Sequence, residues 1–234
     1  MKTVILCGGK GTRISEETIK IPKPMVKIGS KPILEHIMNY YSKYNSNHFI
    51  LALGYKKQKI IKYFNTNKFK KKWKIEFINT GQNTLTGSRL HQLKKKFKKN
   101  ENFFFTYGDG LSNINLNKLL NFHTKSKKIS TVSIVRPVSR FGEIIVKKNL
   151  VNSFKEKPQM SNCWINGGYF VLNSSIFKFL PNKNHMFERE PLQKLIKIKE
   201  LNAFKHFGKW QCMDTMRDKI LLNKLLAQKK EFWK

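Results

Sequence analysis

An anion-binding loop follows the first apolar segment of the chain. Residues Thr3 to Cys7 run into Gly8-Gly9-Lys10-Gly11-Thr12-Arg13, and Pro22-Lys23-Pro24 follows after a short polar gap. Glycines after a strand let backbone N–H groups approach an anion without hindrance from Cβ atoms. Arg13 and Lys23 add the positive charge that phosphate oxygens require. We interpret this loop as a phosphate site; the alternative is a tight glycine turn with two solvated cations.

The loop differs from the two commonest nucleotide-binding loops. Lys10 is followed by Gly11, where the P-loop has Ser or Thr, and Ile14 stands where a dinucleotide fingerprint has its last glycine. Kinase-like and dehydrogenase-like phosphate loops are therefore excluded.

The aspartates are few and two of them occupy informative places. Asp109 lies between two glycines, which allow the backbone to approach a ligand closely. Asp214 follows Trp210-Gln211-Cys212-Met213 and precedes a predicted helix, so it could bind a metal or cap that helix. The third aspartate, Asp218, lies one helical turn later and is expected on the helix surface.

The order Gly-Gly-x-Gly-Thr-Arg, then Pro-Lys-Pro, resembles the signature of the sugar nucleotidyltransferases. The resemblance extends from Lys2 to the Asp214 helix. The further matches, in family order, are Asp109 in its Gly-Asp-Gly turn, Arg140-Phe141-Gly142, Phe154-Lys155-Glu156-Lys157-Pro158, Asn166-Gly167-Gly168 and the Trp210 to Thr215 segment. The resemblance implies that a phosphate oxygen of a sugar phosphate attacks the α-phosphorus of a nucleoside triphosphate, while pyrophosphate leaves.

The resemblance also implies a role for each matching residue. Asp109 and Asp214 would bind Mg²⁺, Lys23 would contact the acceptor phosphate or the α-phosphate, and Arg13 would grip the departing pyrophosphate. Arg13 and Lys23 are therefore the implied catalytic residues. The implied acceptor-binding residues are Lys23, Arg140, Glu156, Lys157, Asn166 and Gly167. The implied nucleotide-binding residues are Leu6, Cys7, Gly8, Gly9, Gly11, Thr12, Arg13, Thr84, Gly87, Arg89 and Gly108.

The residues that select the base of the nucleotide are expected in the loop from Thr80 to Leu90. This loop resembles that of the glucose-1-phosphate cytidylyltransferases, although Ser88 replaces a glycine and Gln82 an acidic residue. The resemblance implies that CTP and α-D-glucose 1-phosphate give CDP-glucose, for deoxysugars of surface polysaccharide. Another sugar phosphate, a small phosphorylated acceptor, or UTP or dTTP remain alternatives. Taken alone, the loop could also be a surface turn that caps the next helix.

The elements that must position these residues alternate between strand-like and helix-like in the first half of the chain. This pattern predicts an α/β fold, and the resemblance implies a mostly parallel, Rossmann-like sheet flanked by helices. We expect one domain over 1–234, with a nucleotide-binding half at 1–128 and a β-rich acceptor-binding half at 129–234. Ligands bind beyond the carboxyl ends of strands in such sheets, so the glycine loop and the Asp109 turn should face one crevice. The predicted strands are Thr3 to Cys7, His48 to Leu53, Lys74 to Ile78, Asn102 to Tyr107, Ile129 to Val135, Glu143 to Val146, Val151 to Phe154, Gly168 to Leu172 and Leu201 to Phe207. One predicted helix begins at Pro32. The other predicted helices include Lys56 to Phe64, Leu90 to Phe97, Glu188 to Lys197 and Asp214 to Gln228.

The charge balance raises a second class of function. Lys and Arg number 47 and Asp and Glu 14, a formal net charge of +33. A basic, non-catalytic protein that binds nucleic acid or a charged surface is therefore the alternative. Only six of the 47 cations are Arg, the residue that base readout favours, and the lysine runs are typical of solvated faces. We therefore expect small-molecule substrates, and neither nucleic acid nor membrane as a partner.

Three scattered cysteines, Cys7, Cys163 and Cys212, predict neither a disulfide framework nor a zinc ribbon. No apolar run approaches the roughly 18 residues of a membrane-spanning helix, and the start of the chain is too short in apolar residues for a signal peptide. These features predict a reducing compartment, the cytoplasm. We also expect a homo-oligomer.

Overall fold

Apolar runs separated by polar turns form a central sheet in the computed structural model, which describes residues 1–139, 141–156, 159 and 163–234. Within these residues the strands are β1 (Lys2–Cys7), β2 (Lys27–Ile28), β3 (Lys31–Pro32), β4 (His48–Leu53), β5 (Lys74–Asn79), β6 (Asn102–Tyr107), β7 (Gly110–Ser112), β8 (Ser130–Val135), β9 (Glu143–Lys147), β10 (Leu150–Lys155), β11 (Ile165–Asn173), β12 (Leu201–His206) and β13 (Trp210–Cys212). The α-helices are α1 (Ser15–Thr18), α2 (Ile33–Ser42), α3 (Lys57–Phe64), α4 (Asn67–Lys72), α5 (Thr86–His91), α6 (Leu116–Ser126), α7 (Glu190–Lys197) and α8 (Met216–Ala227). Short 3₁₀ turns cover Thr12–Ile14, Lys23–Met25, Lys94–Lys96 and Ser174–Phe179.

The central sheet has seven strands in the order β12, β8, β11, β6, β1, β4, β5. Neighbouring strands are parallel except for β11, which is antiparallel to both β6 and β8. The sheet is thus mixed and mostly parallel, with helices packed on it, which confirms the predicted fold class. The hairpin β9–β10 forms a separate small sheet in the second half of the chain.

Side chains that alternate along β1 enter two different cores. Ile5 belongs to a cluster with Tyr41 of α2, whereas its neighbour Val4 belongs to a cluster with Phe105 and Phe170. Because successive strand residues point to opposite faces, the two clusters lie on opposite faces of the sheet. Both faces are therefore covered, as expected of a mostly parallel sheet.

Most predicted elements are confirmed, and the largest differences are in helices. The helix predicted over Leu90 to Phe97 is wrong in position, since α5 ends at His91 and only a 3₁₀ turn follows at Lys94–Lys96. The start of α5 is fixed by tertiary contacts, because the amides of Gly87 and Ser88 donate to the carbonyl of His185. Helices α1, α4 and α6 have no counterpart in the prediction.

The lysine runs lie on the surface of the protein. Residues Lys70 to Lys72 and Lys94 to Lys96 are exposed, as predicted for solvated faces. Among the described residues, no helix has the length and apolar character that crossing a bilayer requires.

Candidate active site

The glycine loop and the Asp109 turn meet at one edge of the sheet. Strands β1 and β6 are parallel neighbours, with Leu6 opposite Tyr107, so the loops that follow them leave the sheet at the same edge. Gly9 and Asp109, which follow these strands, line a common cavity. The strand order thus produces the single crevice that the sequence predicts.

Four charged residues that are remote in sequence form one ion cluster in this crevice. The Nζ atom of Lys23 lies 2.6 Å from Oδ2 of Asp109 and also contacts Oδ1 of Asp214. Nη1 of Arg13 lies 2.7 Å from Oδ2 of Asp214. Lys23 and Asp214 are largely buried, whereas 72% of the Arg13 side chain is exposed. Arg13 therefore keeps most of its donors open to a ligand.

The ion cluster favours the charged forms of Lys23 and Asp214. Burial alone would lower the pKa of Lys23, but Asp109 and Asp214 outweigh it and raise that pKa above the usual value. Burial would likewise raise the pKa of Asp214, but Lys23 and Arg13 lower it below its ordinary range. At neutral pH Lys23 is therefore an ammonium and Asp214 a carboxylate.

The backbone around Asp214 explains why this carboxylate points into the crevice. Strand β13 pairs with β7, and the amide of Met213 donates to the carbonyl of Asp109 at 2.9 Å. Helix α8 is capped by Thr215, whose hydroxyl accepts from the amide of Asp218 while the Asp218 carboxylate accepts from the amide of Thr215. The interpretation of Asp214 as the helix cap is therefore wrong, and so is that of Asp218 as a mere surface partner.

Asp109 and Asp214 are the residues that could hold a metal. No group of three or more His, Cys, Asp or Glu side chains with metal-binding geometry occurs among the described residues. Mg²⁺ in phosphate sites commonly needs only one or two carboxylates, with water and phosphate oxygens as its other ligands. Both carboxylates already converge on one cationic group, the Lys23 ammonium, so their oxygens fit a shared cation.

The cavity between the glycine loop and α5 has a volume of about 360 Å³ and is lined by most of the predicted nucleotide-binding residues. Two of that predicted set do not line it. Cys7 is fully buried, and burial raises the pKa of its thiol; Gly87 packs against the ring of His185. The lining residues that were predicted are Leu6, Gly8, Gly9, Gly11, Thr12, Arg13, Thr84, Arg89 and Gly108; those that were not are Pro24, Leu85, Thr86, Tyr107 and Met186, while Lys23 and Asp109 were assigned other roles.

Arg89 ties the glycine loop to the base loop. Its guanidinium is buried and donates to the carbonyl of Gly8 at 3.0 Å, to that of Gly81 at 2.7 Å and to the Thr80 hydroxyl at 2.6 Å. Additional bonds reach the carbonyls of Leu53 and Gln82. The donors of Arg89 therefore hold protein groups together, whereas the sequence predicts that they reach the base or a phosphate.

A second cavity of about 330 Å³ adjoins the first and shares Arg13, Tyr107 and Asp109 with it. Asn166 and Gly167, both predicted to bind the acceptor, line this second cavity. We call the first the nucleotide cavity and the second the acceptor cavity, after the residues predicted to line them.

The other predicted acceptor-binding residues are placed differently. Glu156 follows β10 and is exposed, and it is not among the residues that line the acceptor cavity. Lys23 lines the nucleotide cavity. Arg140 and Lys157 lie outside the described residues.

Tyr107 and Glu188 are two of the site residues that sequence reasoning missed. Tyr107 lines both cavities and directly precedes Gly108-Asp109, so its place in the sequence could have indicated it. Glu188 lines the acceptor cavity, but its sequence neighbourhood carries no motif that points there.

Comparison with known proteins supplies the family. The family described as nucleotidyl transferase matches residues 2–227, almost the entire chain. The chain belongs to the nucleotidyl transferase family. This confirms the family resemblance that the glycine loop and the later motifs indicate.

Curated relatives of this nucleotidyl transferase align over their full length. It is 44% identical over 254 positions to a probable glucose-1-phosphate cytidylyltransferase of Bacillus subtilis strain 168, covering 100% of this chain and 99% of that protein. It is 41% identical to the glucose-1-phosphate cytidylyltransferase of Salmonella typhimurium strain LT2, with the same coverage. Each alignment is 20 positions longer than the 234 residues of the chain, so the relatives carry residues that this nucleotidyl transferase lacks.

Solved structures share the fold of this nucleotidyl transferase. HddC from Yersinia pseudotuberculosis, complexed with GMP-PN, is 26% identical with a TM-score of 0.74 over 96% of this chain and 99% of that one. A UDP-glucose pyrophosphorylase complexed with UDP-glucose has a TM-score of 0.77 over 97% of this chain and 98% of that one, at 20% identity. The latter likeness supports the fold alone.

Proposed function

We propose that this protein transfers the cytidylyl group of CTP to α-D-glucose 1-phosphate and releases pyrophosphate. The observation that carries the reaction class is the position of the ion cluster, because Arg13 and Asp109 line both the nucleotide and the acceptor cavity. A phosphate from each cavity can meet there. The choice of substrates is supported by the full-length identity to proteins named as glucose-1-phosphate cytidylyltransferases.

In the proposed reaction an oxygen of the sugar phosphate forms a bond to the α-phosphorus of CTP. The bond from that phosphorus to the bridging oxygen of the β-phosphate breaks, and its electron pair leaves with pyrophosphate. Attacking and leaving groups are both anions, so the protein must bring like charges together. Lys23, fixed between two carboxylates, positions one positive charge beside the α-phosphate, and the exposed Arg13 binds the pyrophosphate.

Asp109 and Asp214 would hold Mg²⁺ in this site. When bound, the ion neutralises triphosphate charge and orients the phosphate chain. The two carboxylates have a second effect of their own, because they fix the ammonium of Lys23 in the crevice and keep it protonated.

The base is proposed to lie in the nucleotide cavity against the loop that contains Thr84 and Leu85. Both residues line that cavity, and the amide of Leu85 donates to the Asn184 side chain at 2.9 Å, which fixes the loop. The acceptor is proposed to bind Asn166 and Gly167, which line the acceptor cavity. Glu156, Arg140 and Lys157 are proposed as further acceptor-binding residues.

We further propose that the enzyme works in the cytoplasm as a homo-oligomer of single-domain chains, and that its product supplies deoxysugar synthesis for surface polysaccharide. Three free cysteines support a reducing compartment. Exposed apolar residues on the β9–β10 hairpin, such as Leu150 at 74% and Val151 at 63%, support self-association. Light scattering during size-exclusion chromatography tests the oligomer, and a monomeric mass contradicts it.

The reaction is tested by pyrophosphate release from purified protein with CTP, glucose 1-phosphate and Mg²⁺. We expect release only when all three are present. No release with any combination of triphosphate and acceptor phosphate contradicts the proposed enzyme. A second outcome, salt-sensitive binding of nucleic acid that survives replacement of Asp109, supports the alternative of a basic binding protein.

A further inference from the structure

We propose that Glu188 is a positioning residue that couples the nucleotide cavity to the acceptor cavity. Its Oε2 accepts a hydrogen bond from the Thr86 hydroxyl at 2.6 Å, and its Oε1 accepts one from the Tyr107 hydroxyl at 2.5 Å. Thr86 lines the nucleotide cavity, Glu188 lines the acceptor cavity and Tyr107 lines both. The inference rests on the proposed nucleotidyl transfer, in which both cavities are filled at once.

On the nucleotide side, the hydroxyl of Thr86 has one defined orientation. It donates to Glu188 and accepts from the backbone amide of Phe187 at 2.9 Å. The amide of Gly87 also donates to the carbonyl of His185 at 3.1 Å. The start of α5 is thus attached to the segment that precedes α7, and Glu188 provides the charged contact of that attachment. Hydrogen bonds to an ionised carboxylate are stronger than those between neutral groups.

On the acceptor side, Glu188 decides which hydrogen bonds Tyr107 can make. The Tyr107 hydroxyl donates its proton to Oε1 of Glu188 at 2.5 Å, which leaves the phenol oxygen as an acceptor only. Asn166 directs its Nδ2 atom toward this oxygen at 3.5 Å, because its Oδ1 accepts from the amide of Gly168 at 2.8 Å.

The hydrogen bonds form one continuous connection from the base loop to the acceptor-binding amide. Its members, in order, are Phe187, Thr86, Glu188, Tyr107, Asn166 and Gly168. Residues that share one network show non-additive effects when they are replaced. A change that moves Thr86 should therefore alter binding in the acceptor cavity, which Thr86 does not line.

The test is a double-mutant cycle that measures KM for both substrates. We expect Thr86→Val to raise KM for glucose 1-phosphate about fivefold as well as KM for CTP, and Glu188→Gln to raise both about tenfold. In the Glu188→Gln background, Thr86→Val should add less than about twofold to KM for the acceptor, because the connection is already broken. Thr84→Val is the matched control, since Thr84 lines the same cavity without contacting Glu188, and it should change KM for CTP only.

A Thr86→Val variant that changes KM for CTP alone, like Thr84→Val, overturns the proposal. So does a double variant whose effects are additive. If Glu188→Gln lowers the melting temperature strongly, Tyr107→Phe replaces it, because it removes one contact of the same carboxylate. Glu188→Asp should raise KM at least as much as Glu188→Gln, because the shorter side chain cannot span both hydroxyls. A smaller effect of Glu188→Asp overturns the proposal.

Calorimetry separates this proposal from the proposed function. Without Mg²⁺, saturating glucose 1-phosphate should change the affinity of the wild-type protein for CTP, and Glu188→Gln should abolish that change. If turnover requires a different triphosphate or acceptor, the assignment of substrates fails and the same measurement is made with the pair that reacts. Nucleotide affinity that does not respond to the acceptor in the wild-type protein overturns the coupling.

Discussion

The Nζ atom of Lys23 lies 2.6 Å from Oδ2 of Asp109, although 86 positions separate the two residues in sequence. The chain runs from β1 through the glycine loop, a 3₁₀ turn and α1 to Lys23. Asp109 follows β6, the parallel neighbour of β1. The same ammonium contacts Asp214, so it offsets the repulsion between two carboxylates in a partly buried site. The site is therefore organised by the protein's own charges before any substrate arrives.

Replacing either carboxylate of the cluster should remove turnover while the fold survives. We expect Asp109→Asn and Asp214→Asn each to lower kcat at saturating Mg²⁺ by at least about 100-fold, because charge stabilisation at the reacting phosphates is the largest contribution to the rate enhancement. Steady-state pyrophosphate release measures the loss, and the melting temperature reports the fold.

Glu76→Gln is the matched control for these two variants. Glu76 also pairs with a lysine at 2.6 Å, in this case Lys96, but it lies on β5 and lines neither cavity. We expect its turnover to equal that of the parent protein. If Asp214→Asn behaves like Glu76→Gln, Asp214 has no part in the reaction.

Two adjacent glycines of the loop should differ in what they do. A Cβ at Gly8 would lie 2.1 Å from Cζ of Arg89, whereas a Cβ at Gly9 would meet no atom within 4 Å. We expect Gly8→Ala to lower the free energy of unfolding by about 1–3 kcal/mol, the usual cost of forcing atoms into a packed site. Gly9→Ala should leave that free energy unchanged and raise KM for CTP. Urea denaturation combined with substrate kinetics measures both, and equal stability losses in the two variants would contradict this account of the loop.

The two ends of β11 should separate acceptor binding from stability. Asn166 lies at the end that lines the acceptor cavity, and Asn173 lies at the other end, where it caps the following turn. We expect Asn166→Ala to raise KM for glucose 1-phosphate about tenfold, with a smaller effect on KM for CTP, since it leaves polar groups of the acceptor without a partner. Asn173→Ala should lower stability by about 1 kcal/mol, as loss of a cap does, without changing either KM. A larger KM effect from Asn173→Ala would be incompatible with the assignment of the cavities.

Stability should fall on mild acidification because of His123. This side chain is buried against Thr131, and burial lowers its pKa to about 4. In the unfolded chain a histidine binds its proton near pH 6.5, so the unfolded state gains protons first and stability declines from about pH 6.5 down to about 4. The contribution is up to about 3 kcal/mol. Urea denaturation at pH 7 and pH 4.5 should show a smaller decline for His123→Gln than for the parent protein.

His91→Gln is the control for this experiment, because His91 is only partly buried on α5. Burial also lowers the pKa values of His36 and His206, so part of the decline should persist in His123→Gln. An identical decline in the parent protein and in His123→Gln would show that His123 does not control it.

The fold and the four residues that form the ion cluster could be predicted because their signals are local. The bounds of β4 and β6 follow directly from apolar runs that end in turn residues, and the resemblance of the glycine loop and Pro22-Lys23-Pro24 to the family signature identifies Arg13 and Lys23. The family motifs then select Asp109 and Asp214 from three aspartates. In such cases a short segment of sequence contains both the element and the residue.

Other features depend on contacts that no local segment contains. Asp214 precedes a helix and therefore resembles a cap, but the cap is Thr215 because Asp218 completes a capping box with it. Arg89 resembles a ligand-binding cation, yet its donors are directed to backbone carbonyls from Gly8, Gly81 and Leu53. Such assignments require knowing which loops meet in space.

Glu188 shows this most clearly. It lies in an irregular segment before α7, without glycine, periodicity or a motif, and only the tertiary structure brings it to Thr86 and Tyr107. Helix α5 begins earlier than predicted for a related reason, because its first turn binds the segment around His185.

A competition assay tests the central claim most directly. The protein is incubated with Mg²⁺, glucose 1-phosphate and equal concentrations of CTP, UTP, dTTP and GTP, and the nucleotide sugars are separated and quantified by mass spectrometry. The account predicts CDP-glucose in at least about tenfold excess over any other product, a difference of about 1.4 kcal/mol between transition states. Formation of UDP-glucose or dTDP-glucose in place of CDP-glucose would contradict the assignment of CTP, and the absence of every nucleotide sugar would contradict the proposed reaction.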